Sequence, residues 1–330
     1  MVILDGAAVV HVLNPTNFRT FIDFFQNVFL PYIQSNLSIS QRVDIVWDEY
    51  IQNSLKSHTR NSRGTGVRRR VESKSLVPRN WQSFLRVDEN KYELFGYLAD
   101  QVMTINTAKL VITTKGKDVL SLQNYSTNML SPCNHEEADS RIFVHIADAV
   151  YAGMEKVLVR TTDTDVVVLA VSVVQKLGAA QLWIWFGTGN HQRFIPAHDI
   201  ARSLGPLKSK CLPVFHAYTG CDTVSFWRGI SKKNAWSVWQ TFNDATSALV
   251  EMIDKKEVSD ESLANLERFT VLTYDRTSNV ETVNEMRKVL FAQKNRQIEN
   301  IPPSRAALEQ HILRTIYQGA FIWGETTECM

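Results

Sequence analysis

The sequence predicts an α/β fold with a mainly parallel central sheet, helices on both faces, and a helical C-terminal extension. Two observations lead to this prediction. Short β-branched runs alternate with longer amphipathic segments over the N-terminal part of the 330-residue chain. From about residue 194 the β signal disappears, and the remaining sequence has helical periodicity. We therefore expect a three-layer α/β/α domain that is followed by helices.

Five short segments rich in β-branched and aromatic residues are the predicted strands. They are residues 2–4, 43–47, 109–114, 156–161 and 181–186. The first predicted helix has apolar residues at helical spacing between Phe18 and Tyr32, and helices over 136–153 and 164–178 end at glycines. The predicted C-terminal helices cover residues 244–255, 260–272, 281–293 and 304–318.

The predicted α/β domain covers residues 1–222, and the helical extension covers residues 223–330. Residues 52–80 interrupt the strand-helix alternation, because they have little apolar periodicity and are rich in polar and basic side chains. We expect this segment to be a long loop or a partly ordered arch that is inserted after the second strand.

Composition and charge exclude several classes of protein. The formal charge is +2, and the four cysteines form no Cys-x-x-Cys pair, so neither a disulfide framework nor a structural zinc site is expected. No apolar stretch approaches the roughly 20 residues that span a bilayer, and the N-terminus lacks the layout of a signal peptide. We expect a soluble intracellular protein that does not bind membranes.

Acidic residues directly follow three of the predicted strands. Asp5 ends the first strand, Asp48 follows the second, and Asp163 with Asp165 follows the strand at 156–161. Because ligands of open parallel α/β sheets bind outside the carboxyl ends of the strands, these acids are expected at one edge. Three further acids lie in segments that could reach the same edge: Glu137, Asp139 and Asp222.

A cluster of carboxylates destabilises the fold unless a positive charge lies between its members. Hard oxygen ligands favour Mg²⁺ or Mn²⁺ over zinc, and two such ions about 3.5–4 Å apart suit in-line attack on a phosphodiester. One ion then helps to generate hydroxide, and the other stabilises the leaving oxygen. The sequence therefore predicts a carboxylate site for two Mg²⁺ or Mn²⁺ ions.

Each acid also has a simpler interpretation. A lone acid after a strand, such as Asp5 or Asp48, is most simply a helix N-cap. Asp163 and Asp165 together exceed what one cap requires, whereas the acids of the HEEAD segment could merely complement a helix dipole. The joint order of these acids along the chain favours the metal site.

The order of the acidic motifs resembles that of the PIN-like superfamily of metal-dependent nucleases, specifically its flap-endonuclease branch. There, a strand-Asp, a strand-Asp-Gly, Glu-Ala-Glu-Ala, Asp-x-Asp and Gly-x-Asp lead into a Gly-Ile-Gly helical hairpin. Here the corresponding motifs are Asp5, Asp48, EEAD, DTD and GCD, and the hairpin segment is TGCDTVSFWRGISKKNAW. The resemblance covers residues 1 to about 240 and implies a PIN-like domain.

The resemblance implies that seven acids are the metal-site carboxylates, with the first two acting directly or through water. These are Asp5, Asp48, Glu137, Asp139, Asp163, Asp165 and Asp222. The chain departs from the pattern where WDEY replaces Asp-Gly, where Asp139 replaces a longer Glu, and where Ser231 replaces the second hairpin glycine. Related chains extend upstream of the first acid, so we expect this chain to be truncated.

The whole chain also resembles a widespread group of animal proteins suspected to derive from mobile elements. The matching segments are FLRVDENKYELF, HEEADSR, TDTDVVVLAV and FHAYTGCDTVS. That closer resemblance implies no established activity, so the expected chemistry follows from the nuclease branch.

A basic segment at residues 51–86 carries nine Lys or Arg residues and the single acid Glu72. The resemblance implies an arch here whose Lys and Arg contact the scissile phosphate: Lys56 is the candidate lysine, and Arg60 or Arg63 is the candidate arginine. The segment could also neutralise phosphates without reading sequence. The alternatives are a solvated loop or a nuclear-import signal at RRR.

A second candidate nucleic-acid contact is the hairpin-like segment from Gly229 to Lys233, where backbone amides and lysines could hold a phosphate at a helix start. A plain helix-helix turn is equally consistent with its residues. The candidate nucleic-acid-binding residues are Lys56, Arg60, Arg63, Arg68, Arg69, Arg70, Gly229, Ser231, Lys232 and Lys233.

These features lead to the hypothesis of a monomeric, nuclear, metal-dependent nuclease that cleaves nucleic acid. DNA with a branch or free end is favoured over RNA as the substrate. The catalytic residues of the hypothesis are Asp5, Asp48, Lys56 and Arg60. Two alternatives remain: a catalytically inactive PIN-like module that binds nucleic acid or protein, and an RNase H-like transposase, which fits the acid spacing less well.

Overall fold

The computed structural model describes residues 1–15, 18–50, 66–293 and 297–324. The chain divides into two compact units, one formed by Met1–Ala201 and the other beginning at Arg202. Each unit has its own hydrophobic core. The predicted domain boundary at residue 222 stays a prediction.

The first unit contains a seven-stranded sheet. Its strands are β1 (Val2–Asp5), β2 (Arg42–Val46), β3 (Leu110–Lys115), β4 (Asp118–Ser121), β5 (Lys156–Thr161), β6 (Gln181–Phe186) and β7 (Arg193–Pro196). They lie in the order β4-β3-β2-β1-β5-β6-β7, with five parallel central strands and antiparallel strands β4 and β7 at the edges. The predicted mainly parallel sheet is confirmed, and the two edge strands are additions to it.

The helices of the first unit follow the strands as the alternation predicts. They are α1 (Gly6–Val12), α2 (Phe21–Phe24), α3 (Leu30–Ile39), α4 (Trp81–Phe84), α5 (Asp88–Val102), α6 (Ala138–Tyr151) and α7 (Thr164–Leu177). A π-helical turn at Phe25–Phe29 joins α2 to α3. The predicted first helix is thus two α-helical pieces, and the predicted helices at 136–153 and 164–178 are confirmed within two residues.

The direction in which successive parallel strands are added to the sheet reverses between β1 and β5. From β1 the chain moves to β2 and then β3 in one direction, whereas from β5 it moves to β6 in the opposite direction. Right-handed crossovers in opposite directions place their helices on opposite faces of the sheet. The carboxyl ends of β1 and β5 therefore flank the topological switch point, where open α/β sheets bind their ligands.

Gly6 allows the segments after β1 and β2 to approach each other closely. A Cβ atom at Gly6 would lie 2.2 Å from the Trp47 ring, which is buried. Because Gly6 follows Asp5 and Trp47 precedes Asp48, this contact brings the two acids toward the same edge.

Gly6→Ala is therefore expected to destabilise the protein by about 1–3 kcal/mol, since the added methyl overpacks the Trp47 contact. Gly96→Ala is the matched control, because a Cβ at this mid-helix glycine of α5 meets nothing within 4 Å. Alanine there should stabilise the protein by about 0.5–1 kcal/mol. Urea unfolding of both variants measures the difference, and equal effects would contradict the close contact.

A buried ionic network fixes helix α6 to strand β2. The Arg42 guanidinium donates to both carboxylate oxygens of Asp44 at 2.8 and 2.7 Å and contacts Asp148 of α6 at 2.7 Å. Nδ1 of His145, also on α6, lies 2.8 Å from Asp44. All four residues are buried, so the helix has one register on the sheet.

The second unit is helical. Its helices are α8 (Ala197–Tyr218), which begins in the first unit, α9 (Lys232–Thr241), α10 (Asp244–Asp254), α11 (Asp260–Tyr274), α12 (Val283–Phe291) and α13 (Arg305–Ile316). Gly205 interrupts α8 with φ 76° and ψ 168°. The predicted helical C-terminal part is confirmed. Across the residues that the structure describes, no helix has the length and apolar character needed to cross a membrane.

Candidate metal centre and nucleic-acid contacts

Three carboxylates meet at the carboxyl edge of the sheet. One oxygen from each of Asp139, Asp163 and Asp165 lies within 4.8 Å of the other two. Asp139 and Asp165 are 9% exposed, whereas Asp163 is exposed. Hard oxygen donors at this separation suit Mg²⁺ or Mn²⁺, so the donor set fits the ion that the sequence predicts.

The residues around Asp163 explain how the chain places it. Asp163 is the N-cap of α7, because its side chain accepts a hydrogen bond from the Asp165 backbone N–H at 2.8 Å. Three buried valines and the buried Leu169 of α7 hold this helix against the rest of the unit. The cap and the metal interpretations therefore coincide at one residue, since one carboxylate oxygen binds the backbone and a carboxylate has two.

Asp5, at the end of β1, is 5% exposed. Its side chain caps α1 by accepting from the Ala8 N–H at 2.9 Å, and its other oxygen accepts from the Thr161 hydroxyl at 2.7 Å. The same hydroxyl oxygen accepts from the Asp163 backbone N–H at 3.0 Å. Thr161 thus links the ends of β1 and β5 at the switch point.

The pKa of Asp5 is raised to about 7. Burial is the largest cause, because it disfavours the charged form, and the nearby carboxylates of Asp48 and Asp163 raise the pKa further by repulsion. The hydrogen bonds from Ala8 and Thr161 oppose this shift without cancelling it. The part of this shift that comes from Asp48 and Asp163 is the part that a cation bound nearby would relieve.

Asp48 meets the start of helix α6. It accepts a hydrogen bond from the Ala138 N–H at 2.9 Å, and the Tyr50 hydroxyl donates to it at 3.4 Å. Ala138 lies between Glu137, which is half-buried, and Asp139. Within the described residues the compact trio comprises Asp139, Asp163 and Asp165. Asp5 is linked to Asp163 through Thr161, and Asp48 contacts Ala138 beside Asp139, whereas a ligand role for Asp5, Asp48 and Glu137 stays a prediction.

The chain was compared with protein families, curated proteins and solved structures. No family model matches it, and no curated protein matches it. Similar solved structures come from bacteriophage T5. The T5 D15 protein co-crystallised with metal ions is 14% identical with a TM-score of 0.47, and the match covers 98% of this chain and 90% of that chain.

Two further T5 structures are similar. A mutant T5 5′-exonuclease is 12% identical with a TM-score of 0.43, covering 98% of this chain and 89% of that one. A D15 flap endonuclease variant in a pseudo-enzyme-product complex with DNA and metal ions is 10% identical with a TM-score of 0.48, covering 98% and 90%. At such identities a likeness concerns the fold alone, so the proposals for this chain rest on its own residues.

The predicted basic contacts fall partly outside the described residues, where Lys56, Arg60 and Arg63 lie. Of the exposed arginines that follow, Arg68 donates to Glu93 at 2.9 Å, and the backbone N–H of Arg69 donates to Asn90 at 2.7 Å. Arg70 lines a cavity that also includes Asp48. One predicted basic residue thus lines the same cavity as a predicted acid.

The remaining predicted residues lie in the second unit. Asp222 is exposed, and Gly229 has a φ of 81°, which glycine adopts without strain. Ser231 is the N-cap of α9, because its hydroxyl accepts from the Asn234 N–H at 3.1 Å.

The two lysines of this segment differ. Nζ of Lys232 donates to the carbonyl of His216 at 2.8 Å, to Thr219 Oγ1 at 3.0 Å and to the carbonyl of Gly220. These contacts secure the end of α8, and Lys233 is exposed beside them. The role of the segment in nucleic-acid binding stays a prediction.

Asp5→Asn gives a pH-dependent test of the acidic edge. In the folded metal-free protein Asp5 stays protonated up to about pH 7, whereas its ordinary pKa is 3.8. The stability of wild type therefore falls as the pH rises through this range, because the unfolded chain ionises first. Asparagine caps a helix comparably and stays neutral.

In EDTA the Asp5→Asn variant should be more stable than wild type at pH 8, by up to ~4 kcal/mol. The difference should vanish near pH 4, where neither form carries a charge at this position. Denaturant unfolding between pH 4 and pH 8 measures this difference, and Asp199→Asn, at a half-exposed side chain, is the control substitution. A variant that is less stable than wild type at every pH would refute the raised pKa of Asp5.

Proposed function

We propose that this protein is a PIN-like, metal-dependent phosphodiesterase that cleaves nucleic acid. The observation that supports it best is the meeting of Asp139, Asp163 and Asp165 at the topological switch point of the sheet. These acids come from two different helix starts, and the chain keeps them together despite their repulsion. An arrangement of this kind gains stability from a divalent cation and provides the ligands for one.

The residues of the chain have separable roles in this proposal. Asp139, Asp163 and Asp165 hold Mg²⁺ or Mn²⁺, whose chemistry when bound is to lower the pKa of a coordinated water and to stabilise charge on the phosphate. Asp163 is kept in place by its backbone hydrogen bond to the start of α7. Asp5 and Asp48, whose side chains are held by the N–H groups of Ala8 and Ala138, would act on the ion directly or through water. Glu137 is proposed as a further ligand for a second ion, and the role of Asp222, which lies in the second unit, stays a prediction.

The proposed substrate is DNA with a branch or a free 5′ end, by the resemblance of the motif order to the flap-endonuclease branch. The basic segment that includes Lys56, Arg60 and Arg63 is proposed to contact the scissile phosphate. Its charge neutralises phosphates without reading bases, which suits recognition of shape rather than sequence. A monomer that acts in the nucleus completes the proposal.

A specific observation favours a second candidate, a catalytically inactive PIN-like module. Asp5 and Asp163 both cap helices, so these two acids have a structural reason to be present without any metal. Capping explains one acid per helix start, however, and it leaves Asp139 and Asp165 beside Asp163 unexplained. The metal-dependent enzyme accounts for all three.

Cleavage of a substrate panel tests the proposal. Wild type should cleave flap or nicked DNA with Mg²⁺ or Mn²⁺, and EDTA should stop the reaction. Single-stranded DNA, duplex DNA and RNA of matched length establish the preference, and Asp163→Ala excludes a contaminating nuclease. Binding without cleavage under every condition would support the inactive module, and equal cleavage by Asp163→Ala would refute the site.

A further inference from the structure

A cavity of about 470 Å³ opens between helix α5 and the carboxyl ends of β2 and β3. Asp48, which follows β2, lies in its wall, as does Lys115 at the end of β3. The volume falls within the range of sites that hold small organic ligands. Asp48 also accepts a hydrogen bond from the Ala138 N–H, so one residue of the wall contacts the helix start that carries Asp139.

The floor of the cavity is open because of a glycine. Gly96 lies in the middle of α5, where glycine weakens a helix relative to alanine. A Cβ atom there would meet nothing within 4 Å, so neither packing nor an unusual backbone angle calls for glycine. A side chain at this position would instead extend into the cavity that Gly96 lines.

The cavity wall combines exposed aromatic and cationic side chains. Tyr92 is 58% exposed, Tyr97 is half-buried, and both lie on α5. The exposed Arg70 and Lys115 lie in the same wall. A flat ring for stacking together with cations for phosphate is the combination by which proteins hold a single-stranded nucleotide.

The wall also carries four acids, Asp48, Glu72, Glu93 and Asp100, and neighbouring groups engage Glu93 and Asp100. Glu93 accepts hydrogen bonds from the Val71 N–H and from Arg68, both at 2.9 Å. Asp100 pairs with Lys115 at 2.6 Å, and these side chains are 55% and 44% exposed. An ion pair this exposed is weak, so Lys115 can exchange it for a phosphate.

We propose that the cavity holds one unpaired nucleotide of the substrate strand, with its base against Tyr92 and its phosphate near Arg70. This proposal rests on the proposed function. It states that the cavity recognises a nucleotide of the substrate that is not paired in a duplex. The strand then passes Asp48 on its way to the acidic edge.

Binding of a fluorescent single-stranded oligonucleotide in EDTA tests this separately from cleavage. Tyr92→Ala should weaken binding about tenfold through the lost stacking, and Gly96→Leu should weaken it similarly by filling the cavity. Tyr151→Ala is the matched control, because Tyr151 is 88% exposed at the end of α6, outside the cavity wall. Its affinity should stay within twofold of wild type, and circular dichroism checks that each variant folds.

Two further probes identify the ligand. An oligomer of abasic deoxyribose phosphates should bind wild type and Tyr92→Ala equally, because it has no base to stack. Free dAMP should compete weakly with the oligonucleotide. Equal oligonucleotide affinities for all variants, no binding by wild type, or binding of dAMP alone would each overturn the proposal. Loss of binding in the cavity variants, with no cleavage by wild type, would support the cavity while refuting the nuclease.

Discussion

Replacement of Asp139, Asp163 or Asp165 by asparagine is expected to reduce metal-dependent cleavage by about 10²–10⁴-fold. Each substitution removes one negative charge from a trio whose ligand atoms lie within 4.8 Å of one another. A bound divalent ion contributes several kcal/mol of transition-state stabilisation, and each 1.4 kcal/mol is about tenfold in rate. The loss should therefore be large at every one of the three positions.

Asparagine is chosen because it preserves shape and capping ability. At Asp163 the amide oxygen can still accept from the Asp165 N–H, so the start of α7 should stay folded. Asp118→Asn is the control, since Asp118 is an exposed acid on edge strand β4. Single-turnover cleavage rates in Mn²⁺ measure the effect. Rates in the three variants that match the control would show that this trio does not support cleavage.

Asp44→Ala is expected to have the largest effect on stability, a loss of about 3–5 kcal/mol. Asp44 is fully buried and accepts two hydrogen bonds from Arg42, which is itself 1% exposed. Alanine would leave the Arg42 charge with Asp148 as its remaining ion-pair partner in the network, and it would remove the partner of His145 Nδ1. Removal of one member of a buried pair costs far more than the net contribution of the pair, because the other charge stays desolvated.

Urea unfolding measures the Asp44→Ala effect, and the exposed ion pair provides its control. Asp100→Ala removes a partner of Lys115 in a pair that is about half exposed, so it should cost less than about 1 kcal/mol. A similar cost for the two variants would contradict the importance of burial. Asp148 and His145 lie on α6, the helix that also carries Asp139. The Asp44→Ala variant should therefore also weaken metal binding at Asp139.

The sequence was most informative where local pattern and topology agree. β-branched runs revealed β1, β2, β3, β5 and β6, and the rule that ligands bind at the carboxyl ends of parallel strands led to the acids that follow them. The spacing of Asp163 and Asp165 was sufficient to expect more than a cap. The structure adds that Asp163 is also the N-cap of α7, because this helix begins at the carboxyl edge of the sheet where the acids lie.

Other features depend on contacts between distant segments and leave little local signal. The edge strands β4 and β7 have four residues each, which is too short for a clear alternation of apolar and polar residues. Thr161 donates a hydrogen bond to Asp5, which is 156 positions away in the sequence, and only the place of Thr161 at the end of β5 hints at this contact. The cavity beside Gly96 likewise results from the packing of α5 against the sheet, which periodicity does not reveal.

The central claim is that the acidic edge binds divalent cations, and a Mn²⁺ titration tests it most directly. Electron paramagnetic resonance of free Mn²⁺ gives stoichiometry and affinity without any substrate. Wild type should bind two ions, and the double variant Asp139→Asn with Asp163→Asn should bind none at the same concentrations. Bound ions should also raise the midpoint of thermal unfolding of wild type, since the unfolded chain lacks the site. Equal Mn²⁺ binding by wild type and double variant, or no binding by either, would contradict the claim.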